Sequence, residues 1–283
     1  MVKIIADSTC DLSPELLQRY SIEILPLHIV LGDDEYLDGE GIGPDEIYRW
    51  SDENKSTPKT AAVSVDAAME MYQKYIDAGD EIVSFAISSH MSTTGNVMRL
   101  AAEMMGAQDR VFVIDSKNLS TGIGLLVIEA AIMAQQGKTA SQIAAKIEKL
   151  KPRVRASFVV DTLTYLHRGG RCSSVAALLG GTLKLHPKIS VLDGKMSAGR
   201  KFRGRMDAVI KSYVAEMESE LRSAKADRVF ITHSGCSEAT ISMVRSQLEA
   251  LDRFDEILIT RAGGVISSHC GPGTLGVLFI AGE

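Results

Sequence analysis

The sequence predicts an α/β protein of two domains: an N-terminal, mostly parallel α/β sandwich and a C-terminal α+β domain built on an antiparallel sheet. Three observations predict it. Short apolar runs alternate with amphipathic segments through the first half, the pattern of βα units around a largely parallel sheet. Three of those runs end alike, in Ile5-Ala6-Asp7-Ser8-Thr9, Ile87-Ser88-Ser89-His90-Met91-Ser92 and Ile114-Asp115-Ser116-Lys117-Asn118-Leu119-Ser120. Each leaves an apolar strand through Asp or Ser and then opens a helix, so in an open parallel sheet all three gather at the carboxyl edge, where ligands bind. The second half then changes character, with an Asp193-Gly194 hairpin signal between strand-like flanks. The 283 residues suit one large or two medium domains. The join falls near Lys151–Arg155, giving domains 1–155 and 156–283.

In order, the N-terminal strands are Lys3–Ala6, Glu23–Val30, Ile82–Ile87 and Val111–Ile114. The helices are Pro14–Tyr20, Pro44–Trp50, Val65–Ala78, Val97–Met105, Gly122–Gln136 and Ser141–Leu150. Ser13-Pro14 is a strong helix start, since serine caps the first turn and proline at the first helical position loses no hydrogen bond. Gly79 and Gly137 are helix stops. In the second half Arg155–Leu166, Pro187–Leu192, Met196–Phe202, Val229–His233, Glu256–Thr260 and Gly276–Ile280 read as strands, with helices at Met206–Arg222 and Ser237–Leu251.

The net charge of −5 conceals segregation: Lys149–Lys211 holds fourteen Lys/Arg against three acids, a net +11, which leaves −16 on the rest. That asymmetry suits an acidic partner or a phosphate group. Nucleic acid fits less well, because the segment has few aromatics for stacking bases. The N-terminus lacks a signal-peptide pattern, no apolar run reaches the ~18 residues of a membrane span, and Cys10, Cys172, Cys236 and Cys270 show no CxxC spacing. The expectation is a cytoplasmic protein with four structural thiols and no bound metal.

Four constellations carry the chemistry. The run from Ile82 to Asn96 places Ser88, Ser89, Ser92, Thr93 and Thr94 at a strand-to-helix turn, whose free N–H groups and helix dipole suit an anion. Its side chains are small neutral donors, without a lysine or a nucleophile-and-base pair, which favours holding a head group over reacting with it. Thr60 lies in a loop before the Val65–Ala78 helix, with Ser64 as the N-cap. His269 precedes Gly271-Pro272-Gly273, where it either donates to a carboxylate or bonds local carbonyls. Two arginine groups, Arg168/Arg171 around Gly169-Gly170 and Arg200/Arg203/Arg205, suit oxyanions or a solvated surface. There is no G-x-S-x-G elbow, P-loop, H-E-x-x-H or dinucleotide fingerprint.

Taken together these motifs resemble the DegV family of bacterial lipid-binding proteins. The resemblance runs from Ile5-Ala6-Asp7-Ser8-Thr9-Cys10-Asp11-Leu12, through the serines at 88–92 and Asp161-Thr162-Leu163-x-Tyr165-Leu166-x-Arg168-Gly169-Gly170-Arg171, to His269-Cys270-Gly271-Pro272-Gly273. It implies one long-chain fatty acid in a slot between the two domains, its carboxylate presented to a separate fatty acid kinase subunit that phosphorylates it with ATP. It implies no cofactor and no catalytic residue in this chain, and transient contact with a membrane is compatible with the role. The family's T-S-Q-P-S motif reads Thr60-Ala61-Ala62-Val63-Ser64 here, matching at its first and last residues. Its S-G-T reads Ser92-Thr93-Thr94, with Thr93 in place of glycine. The resemblance therefore implies lipid binding by Thr60, Ser92, Thr94 and His269, and phosphoryl-transfer coupling by Arg203. The alternative from another class is a stand-alone small phosphotransferase or hydrolase working in the Ser/Thr-rich cleft.

Overall fold

A computed structural model of the chain describes residues 1–173 and 185–282. Thirteen strands among the described residues form three sheets. The first is parallel, in the order β2 (Glu23–Leu25), β1 (Val2–Asp7), β6 (Glu81–Ala86), β7 (Val111–Asp115). A small antiparallel sheet lies beside it: β4 (Asp34–Leu37), β3 (His28–Leu31), β5 (Lys59–Ala61). The third has six strands in the order β10 (Lys195–Phe202), β9 (His186–Leu192), β8 (Val154–Val159), β13 (Thr274–Ala281), β11 (Ala224–Ser234), β12 (Glu256–Arg261). Every pairing in it is antiparallel except β11 with β12. The fold is thus mixed α/β, with a parallel sheet and a separate antiparallel one, as the alternation of the first half and the Asp-Gly hairpin predict.

The parallel sheet is covered on both faces, and the inner residues of β1 and β6 are buried and apolar apart from Asp7 and Ser84. Ile4, Ala6, Val83 and Phe85 pack into one cluster with the helices Pro14–Tyr20, Thr121–Gln135 and Ala140–Leu150, while Ile5 and Ile82 pack into another with Val65–Asp77 and Thr94–Met104. The helix Thr121–Gln135 is apolar all round and buried along most of its length, since it lies between the parallel sheet and the β8/β13 face of the third sheet. Caps fix the helix starts: Ser13 accepts from the Leu16 N–H, Ser64 from Ala67, and Thr139 forms a capping box with Gln142.

Four expectations are corrected. Glu23–Val30 is two strands in different sheets, broken at Pro26, which has no N–H to give a ladder. Arg155–Leu166 stops being a strand after Val159, and Thr164–Gly169 is a short helix. Met206–Arg222 divides at Met217 into helices Met206–Glu216 and Glu218–Arg222. The helix expected to open at Val97 opens at Thr94, so Ser92 and Thr93 lie at its very mouth. His269 gains a context that its local sequence did not suggest: it sits on the helix Gly264–Cys270, one residue from its end.

Candidate functional site

The carboxyl ends of β1, β6 and β7 lie side by side, so the three Asp/Ser turns converge as their shared pattern requires. Asp7, wholly buried, accepts N–H bonds from Thr9 (3.1 Å) and from Ile87 (2.7 Å). The second bond pins the start of the turn that carries Ser92. Further along, Ser92 N–H donates to Ser88 C=O (3.1 Å), and Ser88 Oγ donates to the Gly194 carbonyl (2.7 Å) at the tip of the β9–β10 hairpin. The hairpin is therefore strapped onto the first sheet's edge, and Gly194, at φ +83°, has no room there for a Cβ.

A cavity of about 510 Å³ opens at this junction. Leu27, Ile87, Met91, Leu166, Met196 and Val265 form much of its apolar wall, and Thr60, Ser92 and His269 line it as well. Three residues more than 30 and 170 positions apart in the chain thus meet at one place. Thr60 Oγ1 and His269 Nε2 are 2.9 Å apart. Ser92 Oγ and Thr94 Oγ1 are also 2.9 Å apart, and the Thr94 N–H donates to Ser92 Oγ at 3.3 Å. Thr94 is fully buried and reaches the cavity only through Ser92. Arg203 does not join the group: it is exposed, just beyond the end of β10, whose Met196 lines the cavity.

The electrostatics follow from burial. Desolvation, reinforced by the Arg171 guanidinium, pushes the His269 imidazole down to about 4, so it is neutral near pH 7. Arg171 also lines the cavity and donates to Gly169 C=O (2.7 Å). The cavity lining therefore offers hydroxyls, the neutral His269 imidazole and the Arg171 guanidinium, donors of the kind that steady an oxyanion.

The helix bearing His269 has no capping side chain of its own. Its start is held from the N-terminal half: Asp11 accepts from the Gly263 N–H (2.8 Å), and Asp38 accepts from Gly264 (2.8 Å) and Val265 (3.2 Å). Both carboxylates are buried, which raises their proton affinity, that of Asp11 to about 8. Arg171 and Gly169 belong to the arginine group that the sequence marks as suited to oxyanions, whereas nothing in the sequence gives Asp11 or Asp38 a place in the site. Only the Asp-x-x-x-Asp spacing at 7 and 11, beside a strand end, could have pointed to either.

Fold and site together define a class: a mixed α/β protein with a largely apolar cavity lined in part by hydroxyls. The family model described as "Uncharacterised protein, DegV family" matches residues 1–282, and the chain belongs to the DegV family. A DegV domain-containing protein of Deinococcus radiodurans is 32% identical over 278 residues, covering 98% of this chain and 97% of its own length. Among solved structures, a DegV family protein from Thermus thermophilus described for its fatty acid binding superposes with a TM-score of 0.91 at 29% identity, over 99% of both chains. A stearic-acid-binding protein from Eubacterium ventriosum superposes with a TM-score of 0.86 at 27% identity, over 99% of this chain and 98% of that one. No helix among the described residues is long and apolar enough to cross a membrane.

Proposed function

We propose that this protein binds one long-chain fatty acid, with its tail in the 510 Å³ cavity and its carboxylate at Thr60, Ser92 and His269, Thr94 supporting Ser92 from behind. The observation that carries the reading is a cavity with a largely apolar wall onto which Thr60, Ser92 and His269, from distant parts of the chain, all converge. Its supports are energetic as well. A hexadecanoyl tail has ~14 methylenes, whose burial at about 0.8 kcal/mol each is worth roughly 11 kcal/mol before the costs of association. The head group then needs orientation more than affinity, and neutral hydroxyls provide it.

The protein is a lipid-binding subunit, and it acts in the cytoplasm with a separate kinase. A carboxylate oxygen attacks the γ-phosphorus of ATP on that partner, the bond to the β-phosphate oxygen breaks, and acyl phosphate and ADP result. Extraction of the purified protein followed by mass spectrometry should return fatty acid at about one per chain. Lipid-free protein that turns over a small substrate unaided would replace this reading with that of a stand-alone phosphotransferase or hydrolase.

Ser92→Ala removes a hydrogen bond to a charged group, worth about 1.5–3 kcal/mol. Calorimetry on delipidated protein should show fatty-acid affinity lower by at least tenfold; equal affinity would remove Ser92 from the site. Arg203 is exposed and outside the cavity, so Arg203→Ala should leave that affinity unchanged. Acyl-phosphate formation with a fatty acid kinase catalytic subunit and ATP should fall at least tenfold, and unaltered turnover would refute the coupling role.

A further inference from the structure

Beyond the main cavity lies a second, much smaller one of about 30 Å³. The two share Leu119, Ile266 and Cys270, which form the wall between them. On its far side the small chamber is bounded by Phe158, Gly276 and Leu278, on β8 and β13 of the third sheet. Ser120, Thr232, Ser234 and Thr274 also border it, yet each of their hydroxyls is already engaged. Ser120 donates to Asp11 (2.5 Å), and Thr232 is paired with Thr121 (2.6 Å) and Thr260 (3.1 Å). Ser234 donates to Gly271 C=O (2.5 Å) and Thr274 to Cys270 C=O (3.0 Å). His233, whose Nδ1 accepts from the Cys236 N–H (3.3 Å), and Cys270 also line it, and the rest of its surface is hydrocarbon; a chamber whose hydroxyls are internally satisfied gives a water little to bond.

We infer that this chamber receives the methyl end of the bound chain, and that Phe158 and Leu278 at its floor set the longest straight acyl chain the protein holds. This rests on the fatty-acid reading and adds to it a length limit. A volume near 30 Å³ holds one or two methyl-sized groups. At Gly276 the two strands pack closely, since an added Cβ would stand 2.9 Å from the Ser157 carbonyl oxygen and 3.1 Å from Phe158 Cβ.

The test is a competition. Delipidated protein is equilibrated with an equimolar mixture of saturated straight-chain fatty acids from dodecanoic to eicosanoic, and the bound population is read by native mass spectrometry. Leu278→Phe, which fills the chamber, should move the preferred length down by about two carbons. Phe158→Leu, which deepens it, should move the preference up by a similar step. Thermal unfolding confirms that each variant is folded, and if one is not, the other decides. Folded variants with the parent's length profile would overturn the inference while leaving fatty-acid binding intact. A parent that takes up none of the mixture would overturn the fatty-acid reading, and this subsite with it.

Discussion

Gly169→Ala is expected to weaken fatty-acid binding by about a hundredfold while leaving the fold as stable as before. Gly169 ends the short helix Thr164–Gly169, and its backbone lies against the His269 ring. A Cβ at this position would stand 2.3 Å from His269 Nδ1 and 3.2 Å from Cε1, so the imidazole must swing away. That motion breaks the 2.9 Å contact between His269 Nε2 and Thr60 Oγ1. Both partners then lose their aim at the carboxylate together, a cost of about 3 kcal/mol for hydrogen bonds to a charged group, or about a hundredfold in affinity. The folded state loses only that one neutral hydrogen bond, worth about 1 kcal/mol, and the helix preference for alanine offsets it. Gly169 does not have a positive φ, unlike Gly170 at +67°, and alanine is preferred to glycine in a helix by about 1 kcal/mol. His269 Nδ1 is buried without a partner, so moving it sacrifices no hydrogen bond on that side. Calorimetry for affinity and thermal unfolding for stability check the two halves separately. A Gly169→Ala protein that is folded and binds fatty acid as the parent does would show that His269 takes no part in holding the head group.

Much of this architecture is written locally. Ser13-Pro14 and Ser64 start helices where their caps place them, and Asp193-Gly194, at φ +47° and +83°, makes the hairpin its residue types favour. The strand ends at Asp7, Ile87 and Asp115 are legible for the same reason: an apolar run that stops at a small polar residue says where the sheet edge is. Thr60 and His269 stand differently. The Gly271-Pro272-Gly273 turn marks His269 without fixing its role, nothing beside Thr60 marks that residue, and the contact between them spans 209 positions. Their assignment came from resemblance; the cavity supplies a physical reason for it.

What could not be read depends on contacts from far along the chain. Gly263-Gly264 looks like a loop because glycine is a poor helix former. The helix starts there because Asp11 and Asp38, more than 220 residues earlier, accept its first N–H groups. Pro26 could have signalled the break in Glu23–Val30. The apolar residues on both sides of it concealed the change of sheet, since each half is buried against a different neighbour. The wall of Leu119, Ile266 and Cys270 is likewise invisible in one dimension: a buried leucine, isoleucine and cysteine look like core until the space on either side of them is seen.

Replacing Asp11 with asparagine is expected to flatten the pH dependence of stability above neutrality. Asp11 is buried, and that burial raises its carboxyl from 3.8 to about 8, against the opposing hydrogen bonds from Ser120 and Gly263. A carboxyl whose folded value is raised binds a proton in the native state that the unfolded chain has already lost. Its contribution is therefore fully present below the unfolded value and is lost as the pH climbs through the folded one. Over that window stability falls by about 1.4 kcal/mol per pH unit, so roughly 2 kcal/mol should disappear between about pH 6.5 and about pH 8. Two other groups are quiet in that range. Asp7, raised by burial to about 6, has given up most of its contribution before the window opens. His269, depressed to about 4, has the opposite sign: its contribution is present above the unfolded value of 6.5 and is lost only on acidification. In Asp11→Asn the amide oxygen still accepts from Gly263 and the amide nitrogen can donate to Ser120 Oγ, so both contacts persist without an ionisable group. Urea unfolding at a series of pH values across the window should show the parent losing stability and the variant holding nearly level. Parallel profiles for the two proteins would mean that Asp11 is ionised in the folded state at neutral pH, and that the helix carrying His269 starts on a charged carboxylate.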